Sequence, residues 1–324
     1  MQTYFSEEMP KDNVFTLAFY NLENLFDIYD DPKTNDDEFT PTGEKKWNYD
    51  RYRNKINNLS DVIVNIGQTH SSYTPIIVGV AEVENENVVR DLVQSKALSA
   101  HHYDYVHYDS PDHRGIDVAL LYRKDRFEVL KSCVHPVVIY QQNGVRDYTR
   151  DILHVTGELN GERMHVLVNH WPSRTEGIRE TKYKRMTASE TCYFLVSKIQ
   201  RDEPDARIII MGDFNDEFSD DSVSNLMRNH TLHNPMQSLS DKGFGSSYSQ
   251  NRWYLFDQII FTKNFYECIP QKHRLKYTEV YDMRFIKTWK GKRKDTPFRT
   301  YIGRWHQGGY SDHFPVCSYL MLEE

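Results

Sequence analysis

Two β-sheets of mixed strand direction, packed between helices in an α/β (α+β) domain, are what this sequence predicts, and three observations carry the prediction. Short apolar runs at residues 14–20, 76–81 and 207–211 stop abruptly at polar residues, as buried strands do when they deliver a side chain to a sheet edge. Amphipathic helical segments fall between them, the order that gives sheets covered by helices. Asn160-Gly161, the favoured two-residue hairpin turn, joins runs at 152–159 and 163–169, so a pair of antiparallel neighbours disfavours a purely parallel, doubly wound sheet.

Taken in order, the strand at 14–20 ends at Asn21. Ile56, Leu59, Val62, Ile63 and Ile66 then recur at helical spacing behind Asp50, a candidate cap, predicting a helix with its apolar stripe turned inward. The strand at 76–81 ends at Glu82, and Asn85 is placed to cap a short helix carrying Val88, Val89, Leu92 and Val93. Residues 117–122 and 127–130 read as consecutive strands, and 179–199 as a long helix burying Met186, Phe194, Leu195 and Ile199. The β-branched run 207–211 stops at Gly212-Asp213, and 253–261 and 314–320 are the last strands.

The 324 residues lack a Pro/Gly/Ser-rich linker, which predicts one domain over 1–324 with a large core. No run approaches the ~20 apolar residues of a membrane span. Residues 1–13 are polar and lack the basic-then-apolar order of a secretory signal. A soluble monomer, cytoplasmic by default, is the expectation, although a leader already removed would leave no trace. Cys133, Cys192, Cys268 and Cys317 are scattered without a C-x-x-C pair, which argues against zinc, against a disulfide framework, and for reduced structural thiols. The net charge of -7 fits poorly with a uniformly basic face that grips nucleic acid. Acidic residues crowd 27–44, whereas 174–185 and 272–304 are basic, and a solvated surface explains either basic stretch equally well.

The strand ends carry the chemistry. Asn21 with Glu23, Glu82, His170, Asp213 with Asn215, and Asp312 with His313 all border apolar runs. Singly each is ordinary, since an Asp after a strand often caps a helix or satisfies a turn. Together they offer the acids, amides and imidazoles suited to metal-assisted phosphoester hydrolysis. Mg²⁺ takes oxygen ligands and keeps several waters, so one or two carboxylates suffice, with Glu82 the first choice as direct ligand. Gly212 and Pro315 fix the backbone beside Asp213 and His313.

In this order, with Met211-Gly212-Asp213-Phe214-Asn215-Asp216 and Ser311-Asp312-His313-Phe314-Pro315-Val316 as its most specific segments, the chain resembles the endonuclease/exonuclease/phosphatase superfamily over nearly its whole length. The resemblance implies the DNase I-like four-layer sandwich, two mixed sheets flanked by helices. It implies metal-site roles for Asn21 and Glu82, with Glu23 an auxiliary and Asp312 nearby. Asp213 and Asn215 would position the attacking water and hold a phosphate oxygen. His313 would activate water or stabilise the transition state, and Asp257, in Phe256-Asp257-Gln258-Ile259, would orient and charge it. His170, in Val168-Asn169-His170-Trp171, resembles the second catalytic histidine of the DNase-like branch, placed to protonate the leaving oxygen or steady the phosphate.

Residue identity does not decide whether Asp213 or His313 is the base. Two histidines suit in-line displacement when one is neutral and the other protonated. Positive charge for the phosphoryl oxygens would come from Arg150, before a strand, from Arg174, on the expected rim beside Ser173, and from Arg114, in the loop at Gly115. Asp117 borders the same rim without an assigned role.

Residues 263–310 separate the Asp257 strand from Ser311-Asp312-His313 where compact family members have a short connection, and read as a family-variable insertion near the active site. Trp289, Tyr301 and Trp305 stand there among basic residues, a mix able to stack bases or sugars; an added hairpin whose aromatics merely pack is the alternative. The expectation is a Mg²⁺-dependent phosphodiesterase or nuclease, with Mn²⁺ or Ca²⁺ as substitutes and nucleic acid as the phosphoester substrate. The same constellation serves phosphomonoesterases of phosphorylated inositol, lipid or nucleotide. A non-catalytic binding domain is a third reading, opposed by the intact set of costly polar groups.

Overall fold

The computed structural model describes residues 10–141 and 143–324, so most of the polar N-terminal stretch at 1–13 lies outside the described residues. Along the chain run β1 (Val14–Leu25), β2 (Ile77–Val83), β3 (Tyr103–His107), β4 (Asp117–Arg123), β5 (Phe127–His135) and β6 (Ile152–Leu159). They are followed by β7 (Glu162–His170), β8 (Ile208–Asp213), the short β9 (Leu232–His233), β10 (Asp257–Thr262), β11 (His273–Val280) and β12 (Val316–Leu322). These strands make two six-stranded sheets, ordered β11-β12-β1-β2-β4-β3 and β9-β10-β8-β7-β6-β5. Each is mixed: β1 runs parallel to β2, and β7 to β8, while the other pairings are antiparallel.

Helices α1 (Tyr49–Asn65) and α2 (Glu86–Val93) join the first sheet in one apolar core that continues between the sheets. Helices α3 (Lys182–Asp202) and α4 (Asp221–Met227) cover the outer face of the second sheet, packing Ala188, Val196, Val223 and Leu226 with Leu167, Ile208, Ile210 and Ile260. The result is helix, sheet, sheet, helix. Among the described residues no helix is long and apolar enough to cross a membrane.

Local sequence explains most of these elements. Asn160 and Gly161 take φ of 50° and 76°, as the two-residue hairpin turn requires, with Leu159 opposite Glu162. Asn85 caps α2 by accepting from the amides of Asn87 and Val88. α1 is capped by Asn48, whose side chain accepts from Arg51 N, not by Asp50; Asp50 sits inside the first turn, where its charge suits the helix dipole. The strands expected at 117–122 and 127–130 are β4 and β5, but they lie in different sheets. Phe194 is 63% exposed on α3, and Arg185 is buried in its stead, against Asp216 at 2.7 Å. The run expected at 253–261 breaks into a short ribbon, Arg252–Tyr254, and β10.

The segment 263–310 supplies β11, an edge strand of the first sheet, before looping back over the site end. It does contain a small hairpin, Tyr301–Ile302 against Trp305–His306. Tyr301 packs in the core beside Phe39 and Trp47, whereas Trp289 and Trp305 are exposed.

Parallel strands β1, β2, β7 and β8 end, and antiparallel strands β10 and β12 begin, along one edge of the two sheets. That topology places Asn21, Glu82, His170, Asp213, Asp257 and His313 together, although they span the chain from residue 21 to 313.

Candidate active site

The sheet edge opens into a cleft of ≈ 520 Å³ lined by Glu82, Arg114, Arg150, His170, Ser173, Asp213, Asn215, Asp312 and His313. Glu82 reaches it through a bulge: the register of β2 against β4 shifts between Ala81 and Val83, and Glu82 takes φ 63°, a strained conformation that re-aims its side chain. Its Oε2 accepts from Asn24 N at 2.9 Å, and its Oε1 lies 3.5 Å from Asn21 Nδ2 and 3.9 Å from His170 Nε2. Asp213 Oδ2 accepts from the same Asn21 Nδ2 at 3.0 Å and lies 3.8 Å from the same His170 Nε2, so the two carboxylates converge.

Close approach of β7 and β8 makes this convergence possible. A Cβ on Gly212 would lie 2.3 Å from the backbone oxygen of Asn169, so only glycine lets His170 sit opposite Asp213. Asn215, at φ 51°, donates its backbone N–H to Asp213 Oδ1 at 2.9 Å and its side chain to Trp171 O.

Across the cleft, His313 Nδ1 sits 2.6 Å from Asp257 Oδ2, which also accepts from Ser246 Oγ at 2.5 Å. Asp257 is wholly buried, and its Oδ1 has no hydrogen-bond partner among the described residues. Ser311 Oγ accepts from His313 N and donates to Asn21 O, tying the strand end of β1 to the start of β12. Asp213, Asp257 and His313 bring their ligand atoms within 4.8 Å of one another.

Burial pushes the Asp213 carboxyl up to about 7, helped by the Asp257 charge. Burial works against a charged His313, but Asp257, Asp312 and Asp213 outweigh it and hold its imidazole well above the ordinary value. His170 goes the other way. Burial, then Arg150, Arg114 and His313, hold its imidazole well below the usual range, and its Nδ1 has no partner among the described residues. A protonated His170 handing its proton to a leaving oxygen is therefore not what its surroundings support.

Other predicted residues fall in different places. Glu23 turns away from the cleft: Oε2 accepts from Thr300 N at 2.6 Å, Oε1 lies near Tyr301 N and Arg299, and Lys55 Nζ is 4.0 Å away. It anchors the 263–310 segment instead of facing an ion. Asn21 Oδ1 accepts from Glu23 N, so the amide presents N–H and not oxygen to the carboxylates. Arg174 does not line the cleft; Asp216 and Asp220 bind its guanidinium, and its Nε donates to Asn215 O, fixing the loop that carries Asn215. Arg150 lines the cleft, but Asp112 and the carbonyls of His170 and Trp171 take up its donors. Arg114 is 43% exposed, bonds Asn24 Oδ1 at 2.6 Å and keeps donors for a ligand. Asp312 pairs with Arg299 at 2.7 Å and still lines the cleft. Ser173 lines it with its Oγ against Thr175. Asp117 belongs to a neighbouring hollow, held by Ser110 and His107.

Asn24, Asp112, Ser246 and Lys184 also build the site, and sequence reasoning missed them. Lys184 lay inside the basic stretch 174–185, and Ser311 inside the Ser311-Asp312-His313 segment; the others carried no signal. Carboxylate oxygens in a cleft open to water suit a hard divalent cation, and Glu82, Asp213 and Asp312 all line that cleft.

Two mixed sheets between helices, with the polar cluster at their common edge, are the DNase I-like α/β architecture. The chain belongs to the Endonuclease/Exonuclease/phosphatase family, whose model matches residues 16–323. No curated protein sequence matches it. Among solved structures it is similar to a humanized D. rerio TDP2, at 15% identity and TM-score 0.57, covering 95% of this chain and 99% of that one. It is also similar to a Bacteroides thetaiotaomicron mannosyl-6-phosphatase, at 17% identity and TM-score 0.55, covering 95% and 100%. A family protein from the same organism gives 17% identity and TM-score 0.56, covering 96% and 98%.

Proposed function

We propose that this protein is a Mg²⁺-dependent phosphodiesterase that attacks its substrate in line with water, nucleic acid being the substrate class. The observation that carries the reading is the facing pair of Asp213 and the His313–Asp257 couple within one cleft. Glu82, with Asp312, would hold the ion; when bound it supplies positive charge to the phosphoryl oxygens.

Asp213, its carboxyl near 7 and both oxygens fixed by Asn215 and Asn21, takes the proton of the attacking water. As the water oxygen bonds to phosphorus, the bond to the leaving oxygen breaks, and that oxygen takes its proton from solvent in the open cleft. His313, steered by Asp257 at Nδ1, presents Nε2–H to a phosphoryl oxygen where negative charge gathers. Arg114 adds a second cation at the open side, and His170 Nε2 stands 3.9 Å from Glu82 Oε1 and 3.8 Å from Asp213 Oδ2, beyond direct hydrogen-bond length. The D. rerio TDP2 structure described with a single-strand DNA product lends this substrate class support at the level of fold.

A phosphomonoester of a hydroxyl-rich group is the second reading, favoured by one observation. Asp147 and Glu176 flank Lys184 on the cleft rim, at 2.8 and 2.9 Å, and their carboxylates are poor company for the neighbouring phosphates of a polyanion. Incubation with plasmid, single-stranded DNA, RNA and sugar phosphates in Mg²⁺ separates the two. Cleavage of polynucleotide supports the diesterase, and release of inorganic phosphate with polynucleotide left intact replaces it with the monoesterase.

A further inference from the structure

Outside the cleft, the edge of the second sheet carries three groups whose chemistry the hydrolytic site does not use. Cys133 on β5 lies directly opposite His154 on β6, and His135 follows Cys133 by two residues, so all three stand on the same sheet face. Their ligand atoms lie within 4.8 Å of one another, with Cys133 Sγ 3.5 Å from His135 Nε2 and 4.0 Å from His154 Nδ1. A tetrahedral zinc ion with ordinary Zn–S and Zn–N lengths separates sulfur from nitrogen by about 3.6 Å. None of the three lines the catalytic cleft.

A second row of side chains sets the tautomer. Glu203 Oε2 accepts from His165 Nε2 at 3.4 Å, which leaves His165 Nδ1 bare to accept from His154 Nε2 at 3.0 Å. That proton placement leaves the lone pair of His154 Nδ1 directed at Cys133, the state a metal needs. A metal-binding imidazole is oriented by a hydrogen bond at its other ring nitrogen, and His165, backed by Glu203, supplies one to His154.

We propose that Cys133, His135 and His154 form a zinc site, with one thiolate sulfur, two imidazole nitrogens and a water in the fourth position. On binding, the Cys133 thiol gives its proton to solvent and its sulfur lone pair to the cation. All three residues are half-buried, so the ion enters from solvent and the site responds to free zinc.

Cobalt reports the thiolate bond. The metal-free full chain, held in excess Mg²⁺, is titrated with Co²⁺ and then with Zn²⁺. Wild type develops thiolate-to-cobalt charge-transfer absorption that zinc displaces, and Cys133→Ser abolishes it. Glu203→Gln, which leaves all three ligands in place, weakens zinc binding by about tenfold or more. His135→Gln does the same with the thiol retained, which covers a Cys133→Ser protein that fails to fold. Absence of the band in wild type, persistence of it in Cys133→Ser, or unchanged zinc affinity in both other variants overturns the proposal.

Discussion

His313 and His170 face one cleft in opposite charge states, and their neighbours make the difference. Three carboxylates surround His313, while arginines and burial surround His170. Replacing Asp257 by Asn removes the largest charge favouring imidazolium, so NMR titration of the His313 ring in EDTA should show its pKa falling towards about 6.5, the unperturbed value. An unchanged titration would contradict the coupling. His313→Ala should lower kcat on a diester by at least about a hundredfold with a smaller change in KM. The sequence made these residues legible because they stand in the family's motif order, at the ends of apolar runs. It did not reveal charge state or claim on a side chain: Arg174 read as a phosphate ligand because nothing in the one-dimensional pattern shows Asp216 and Asp220 already holding it.

At the scale of elements, the chain after β11 is pinned to the site by hydrogen bonds to buried Glu23 and Lys55. Glu23 receives the amides of Thr300 and Tyr301, and Lys55 bonds Thr300 Oγ1 at 2.5 Å and Tyr310 O at 2.6 Å. Burial, then Asp312, raise the Glu23 carboxyl from 4.5 to about 7 against the pull of Lys55 and Arg299. Between those values the folded state binds the extra proton, so this contribution to stability is full below 4.5 and is lost as pH rises through about 7. In EDTA, the melting temperature of wild type relative to Glu23→Gln should therefore fall as pH climbs across that window; a flat difference would refute the reading. Gly212→Ala should push β7 and β8 apart, lowering stability by about 1–3 kcal/mol in urea unfolding and reducing turnover as well. Helices α1, α2 and α3 and the central strands were legible from periodicity, whereas the two-turn α4 was not. Edge strands β3 and β11 were not, because exposed edges mix polar side chains into the run and β11 also shifts register between Leu275 and Tyr277.

For the whole molecule, two mixed sheets turn scattered residues into one site, since parallel strands end where their antiparallel neighbours begin. That is why motif order foretold the architecture, while Cys133, His135 and His154 stayed hidden: their proximity depends on cross-strand register, which a search for C-x-x-C spacing does not test. The central claim is that Asp213 and His313 act on one phosphorus atom with a divalent ion beside them. Its most direct test is the rate of p-nitrophenol release from bis-p-nitrophenyl phosphate in Mg²⁺, with and without EDTA, for wild type, Asp213→Asn and His313→Ala. The account predicts turnover by wild type in Mg²⁺ alone and at least about a hundredfold loss in each variant. Equal rates in all three proteins, or a wild-type rate indifferent to EDTA, would contradict it.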